Sequence, residues 1–302
     1  MKIFFTKAVH LLRDTLYAYT EDDAPRLGAA LAFYTILSLP PALMLITAVT
    51  TSFIDAQVVH GQLNQHLREV LGERIAAIVI QIADSSAYRP KANFLHTFVG
   101  IISAIISAMG ASVQLQASLN LIWRVRAKPG RGNIIVNFIK SRLVSMLMVA
   151  SVGAFVVVGL LISAILTFVS QYTADWLSGE LYSLLQTGNF LVSYGLFFLV
   201  FAVVFRYVPD VELRWSDVWL GAIVTTILFS IGRYLIGIYL LQMDVVNAYG
   251  VAGSLVVLMV WFFYTMQILF FGAELTKVHY LHKGNRIRPR PYAVKFDAVM
   301  MD

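Results

Sequence analysis

The chain has 302 residues, 59% of them hydrophobic and 13% charged, with a mean hydropathy of +0.74 and a formal net charge of +6. Soluble domains run at roughly 45–50% apolar and about 25% charged residues, so this composition points to a polytopic membrane protein and away from a globular one. There is no cysteine, which excludes disulfides, thiolate metal sites and a cysteine nucleophile.

In chain order, residues 3–17 (IFFTKAVHLLRDTLY) place Phe4, Ala8, Leu12 and Leu16 on one helical face with charges elsewhere. That predicts an amphipathic helix, either lying on the membrane surface or packed on the protein itself. Asp23 and Pro25 then supply a cap and a first-turn proline for the next helix. The first apolar run begins only after Arg26, so no cleavable signal peptide is expected.

Six segments are long and apolar enough to cross about 30 Å of hydrocarbon at about 1.5 Å per residue. They lie near 28–50, 94–122, 143–169, 190–206, 217–241 and 248–275. Between the first two, VVHGQLNQHLREVLGERIAAIVIQIAD has helical periodicity at Leu63, Leu67, Val70, Leu71, Ile75, Ile78, Val79 and Ile82. One or two amphipathic helices interrupted near Gly72 are expected there, roofing a cavity or covering helix faces. Of the Lys and Arg residues, eighteen fall in alternate inter-span segments and four in the others, with Arg233 inside span five. By the positive-inside rule both termini are cytoplasmic.

The expected architecture is an all-α membrane protein. A bundle of six transmembrane helices carries amphipathic helices in the N-terminal stretch and the first extracytoplasmic loop. Residues 1–27 form a cytoplasmic N-terminal segment, 28–275 the membrane domain and 276–302 a basic cytoplasmic tail, expected to be poorly ordered from 283 onwards near anionic head groups.

Polar groups inside the spans are the candidates for function. Pro40 and Pro41 in YTILSLPPALML would free the carbonyls of Ile36 and Leu37 and break span one; the alternative is a packing kink satisfied by Thr35 or Ser38. In span two Ser103, Ser107, Gly110, Gln114 and Ser118 share a stripe, with Asn120 nearby. In span five Thr226, Ser230, Arg233, Gly237 and Asp244 do the same. Arg233 lies about 24 Å along the axis from Asp217, where it either faces a wet interior or snorkels outward. In span six Gln267 and Glu274 share a face, with Tyr264 alongside. Glu274 falls at the inner boundary with Arg26, Arg124, Arg206, Lys277, Asp210 and Asp217, as a gate or as a salt-bridge ring tying helix ends together.

No HExxH pair, phosphate-binding glycine loop or GxSxG occurs, and His279 and His282 lack partners for a metal shell. No metal or other cofactor is expected. The basic second loop is accounted for by topology rather than by nucleic acid.

ALAFYTILSLPP at 30–41, LNLIW at 119–123, RYVPD at 206–210 with Asp217 and Gly221, YGVAGSLVVLMVWFFY at 249–264 and FGAEL at 271–275 together resemble the YihY/BrkB family of bacterial inner-membrane proteins. The resemblance spans nearly the whole membrane region. Family sequences usually carry one proline after SL, which Pro41 matches and Pro40 varies. The resemblance implies six spans and cytoplasmic ends, and brings with it labels of ribonuclease BN and of virulence or serum resistance. The residues argue against a ribonuclease, because Glu274, Asp210 and Asp217 are isolated boundary carboxylates with no acid–base pair. The reading reached is a non-enzymatic transporter or flippase-like protein for a lipid or other amphiphilic anion. Its path would involve Pro40, Pro41, Gln114, Asn120, Ser230, Arg233, Tyr264 and Gln267, with Arg26, Arg124, Arg206, Asp210, Asp217 and Glu274 at the gate. The alternative is a scaffold in envelope maintenance or virulence. The expected partners are membrane lipids, together with copies of itself or envelope proteins.

Overall fold

The computed structural model describes residues 2–51, 64, 67, 68, 71, 73–87, 110–128, 194–242 and 251–296. Span three, the first part of span two with Ser103 and Ser107, and Asp244 lie outside the described residues. The described chain is helical almost throughout: α1 (Lys2–Glu21), α2 (Ala24–Thr51), α3 (Glu73–Ala87), α4 (110–122), α5 (Tyr194–Tyr207), α6 (Trp215–Gln242) and α7 (Val251–His282). Two short strands, β1 (Val125–Ala127) and β2 (Ala293–Lys295), pair antiparallel with Val125 opposite Lys295.

Among the described helices, α6 over Trp215–Ile236 and α7 over Gly253–His282 are long and apolar enough to cross a membrane. The outward side of α6 carries Trp219, Ile223, Ile227, Ile231, Leu235 and Ile238, all exposed. On a soluble protein such a stripe would be a binding patch or an aggregation hazard; against acyl chains it has no cost.

The chain divides into two compact units. In the unit made of residues 1–15, 119–226 and 272–302, α6 and α7 meet through two reciprocal Gly-x-x-x-Thr pairs. Thr225 donates to the carbonyl of its own Gly221 at 2.7 Å, and Thr276 to that of Gly272 at 2.7 Å. A Cβ on Gly221 would overlap Thr276 Oγ1 and stand 2.7 Å from Gly272 O, and a Cβ on Gly272 would overlap Thr225 Oγ1. Small residues thus let the two backbones approach. Trp123, 1% exposed, stacks edge-on to Tyr280 at 5.7 Å.

This unit also corrects the expectation for the tail. Helix α7 runs past 275 to His282 and stops at Gly284, whose φ of 77° is the left-handed conformation glycine adopts freely. From there the chain folds back. Pro289 bridges Val211, Arg288 O accepts from Glu212 N at 2.9 Å, and Arg290 N donates to Asp210 O at 3.0 Å. Strand β2 then reaches β1, and Phe296 N donates to Arg124 O at 3.1 Å. Arg124 sits at φ 51° and turns the chain from α4 into β1. Backbone pairing orders residues that composition alone assigns to a loose basic tail.

In the unit made of residues 16–118 and 227–271, α3 packs on α2 and buries Ile75, Ile78 and Val79. The first-loop helix therefore covers a helix face. Helix α2 is continuous through both prolines, which corrects the expected break. Thr35 and Ser38 hydroxyls bond back to the carbonyls of Leu31 and Thr35 at 2.8 and 2.9 Å, and not to those of Ile36 and Leu37. Proline's fixed φ suits a helix, so the local loss is of hydrogen bonds, not of direction. Phe229 and Trp261 join α6 to α7, their rings 6.1 Å apart.

Helix α1 leaves Ala8, Leu12 and Leu16 of the expected stripe outward, the two leucines each 51% exposed, and turns Thr15 and Ala18 inward; the side chain of Phe4 lies outside the described residues. Asp23, at φ 56°, accepts the N–H groups of Arg26 and Leu27 on its carbonyl, while its carboxylate pairs with Arg26 at 3.0 Å.

Candidate functional site

Several of the boundary charges have local partners among the described residues. Asp210 is 3% exposed and is held at two points by Asn120: Asn120 Nδ2 donates to Asp210 Oδ2 at 2.7 Å, and Asp210 N donates to Asn120 Oδ1 at 2.8 Å. Asp217 is the third residue of α6, and its Oδ2 accepts the N–H of Arg214 at 2.9 Å. That is the acidic arm of a capping box, closing a backbone donor at the helix start. Glu274, fully buried, pairs with Lys277 one turn on at 2.9 Å. Arg26 is exposed and pairs with Asp23. Arg206 lies over the Trp215 ring at 4.4 Å and the Tyr207 ring at 5.0 Å.

Among the span candidates, Gln114 donates to Ser118 Oγ at 3.2 Å. Gln267 ties three helices in one unit. Its Oε1 accepts the hydroxyl of Tyr19 on α1, and its Nε2 donates to Pro25 O on α2 at 3.2 Å. Tyr19 also stands edge-on to Phe271 at 6.1 Å, and burial pushes its pKa up to about 12. Tyr264 packs against Gly232, where a Cβ would overlap its ring, and its hydroxyl lies 3.5 Å from Leu228 O. Arg233 follows that glycine and is half-buried, whereas Tyr234 and Leu235 beside it are 71% and 57% exposed. Ser230 lies one turn before it, also half-buried. Pro40 is half-buried in α2; the side chain of Pro41 lies outside the described residues.

Tyr19 was not among the expected residues, nor were the arginines of a cleft of about 770 Å³ beside Arg206. Arg214, Arg286, Arg288 and Arg290 share that cleft with Arg206. A signal for three of them stands in RIRPR at 286–290: in an extended segment, period two puts alternate side chains on one face.

The family model described as virulence factor BrkB matches residues 15–295. A UPF0761 membrane protein of Alteromonas mediterranea is 25% identical over 287 residues, covering 91% of each chain. One of Aeromonas salmonicida is 26% identical over 256 residues, 82% of this chain and 80% of that one. One of Ralstonia nicotianae is 24% identical over 271 residues; it is a longer protein, of which this chain spans 57%. No solved structure matches. The match over nearly all of the described chain, with relatives named as membrane proteins, agrees with the exposed apolar faces of α6 and α7: the chain belongs to the BrkB virulence-factor family of membrane proteins.

Proposed function

We propose that the protein is a six-span inner-membrane transporter or flippase-like protein for a lipid or other amphiphilic anion, with both termini cytoplasmic. The observation that carries this reading is Arg233. It is a permanent cation within the apolar stretch of α6, half-buried while its next two neighbours are exposed. Phe229 and Ile236, one turn before and after it on the same face of α6, are buried, so that face is turned inward. An inward-held cation at that depth is kept at a cost, and such residues commonly line paths for charged groups. Ser230 on α6 and Tyr264 on α7, which packs against Gly232, add hydroxyls for a head group. The process needs no chemical step. Membrane lipids are its natural partners.

The test is head-group translocation of fluorescent anionic and zwitterionic lipids in proteoliposomes. Protein-dependent movement lost in Arg233→Gln, with the fold intact, supports the assignment; equal activity in that variant refutes it. A second reading, a non-transporting scaffold for envelope enzymes or lipids, draws on the Asn120–Asp210 and Gln267–Tyr19 pairs. Several expected path residues spend their hydrogen bonds on holding elements together. A scaffold predicts that Arg233→Gln lowers the melting temperature and that the wild type moves no lipid.

A further inference from the structure

The geometry points to a second site, separate from Arg233: the five-arginine cleft binds a phosphate-bearing anion carrying more than one negative charge. Its walls come from two segments that the backbone fixes against each other. The segment around 206–214 pairs with the returning chain at 286–290 through Val211, Glu212 and Asp210. The guanidinium groups are therefore mounted on bonded backbone and not on a loose tail.

The arginines divide into two roles. Arg290 is a positioning residue, donating to Tyr292 Oη at 3.1 Å and to Tyr207 O at 3.2 Å. Arg206 is oriented by Trp215, and its buried Nη1 has no acceptor. Arg214, Arg286 and Arg288 are exposed in the cleft, and among the described residues none has a carboxylate within ion-pair distance. Glu212 and Asp217 are the acids of the lining, and Asp217 is already committed to the helix start.

Charge selects the ligand class. Five guanidinium groups against two carboxylates leave a formal excess of three positive charges in the cleft. One phosphomonoester carries about −1.5 to −2 and leaves much of that excess uncompensated, whereas two phosphates match it. Arginine's planar fork suits phosphate oxygens in pairs, and about 770 Å³ is ample for a diphosphate or a phosphorylated head group. Exposed Tyr207 lines the cleft with exposed Trp215 edge-on to it at 6.0 Å, and Trp215 and Trp219 are exposed at the start of the apolar stretch of α6. Aromatic residues favour the membrane interface, which puts the cleft at head-group level. The same chemistry is offered by a lipid phosphate and by a free diphosphate, and the experiment distinguishes them. The site rests on its own geometry, and binding without translocation would separate it from the transport reading.

The test uses the full-length protein in neutral phosphatidylcholine nanodiscs with inorganic pyrophosphate as probe, read by calorimetry. Wild type is expected to bind, and the Arg286→Gln/Arg288→Gln variant to bind at least about tenfold more weakly. Lys7→Gln/Lys295→Gln, which removes the same charge outside the cleft lining, is expected to leave affinity unchanged. Should the first variant fail to fold, Arg214→Gln on the opposite segment carries the test with the same expected loss. Phosphatidic acid doped into the discs that competes with pyrophosphate identifies a lipid source, and absence of competition identifies a free anion. No binding by wild type overturns the proposal. Equal weakening by the cleft and control variants overturns it as well, since that is general charge attraction.

Discussion

Asn120 at the end of α4 and Asp210 in the turn after α5 bind each other at two points, 2.7 and 2.8 Å, across 90 positions of sequence. The buried carboxylate uses its own backbone N–H and one oxygen on a single amide side chain, while its carbonyl takes Arg290 N. This is a structural clamp. Asn120→Leu removes the amide donor from the buried Asp210 carboxylate, and a loss of about 1.5–3 kcal/mol is expected from a hydrogen bond to a charged group. Thermal melting in detergent checks it. Asp210→Asn should cost less, because an amide oxygen still accepts.

Close approach of α6 and α7 depends on Gly221 and Gly272. Gly221→Leu and Gly272→Val are each expected to push the helices apart and destabilise the protein by about 1–3 kcal/mol or more. The measurement is the melting midpoint, with Gly195→Ala as control, since a Cβ there meets nothing within 4 Å.

In the buried Glu274–Lys277 pair, replacing the lysine takes its cation away from a fully buried carboxylate. Lys277→Met is expected to cost about 3–5 kcal/mol, and the Glu274→Leu/Lys277→Met double variant to recover most of it. If the double variant melts as low as Lys277→Met, the pair is not coupled as described.

Tyr19 gives a pH signature. Its pKa is raised by burial to about 12, so the protonated hydroxyl that donates to Gln267 is favoured in the folded state. That contribution is fully present below the unfolded value of about 10 and is lost as pH rises through about 12. Tyr19→Phe should therefore melt lower than wild type near neutral pH by about 1 kcal/mol, with the gap closing between pH 10 and 12. A gap independent of pH over that window contradicts the assignment.

What the sequence revealed and what it hid follow from how local each signal is. Helical periodicity predicted α1 and α3, and unbroken apolar length predicted α6 and α7, because both signals are written in consecutive residues. The expected six spans reach beyond the described residues. Proline read as a break in α2 because its missing N–H is a local fact, but whether a helix bends depends on its surroundings. In sequence Asp217 reads as a gate or salt-bridge charge, and its capping contact shows only once the start of α6 is known, three residues from the open N–H of Arg214. The pairing of Val125 with Lys295 and of Val211 with Pro289 is non-local, and Arg and Pro content at 286–290 gave no hint of it. The period-two arginines of RIRPR are a local signal, but the cleft they line with Arg206 and Arg214 is closed by that same non-local pairing.

The central claim is that Arg233 serves a path for an amphiphilic anion, and lipid translocation in proteoliposomes tests it most directly. The account predicts protein-dependent movement of an anionic lipid by wild type and its loss in Arg233→Gln at an unchanged melting temperature. Undiminished movement in Arg233→Gln, or no movement by wild type, would contradict it.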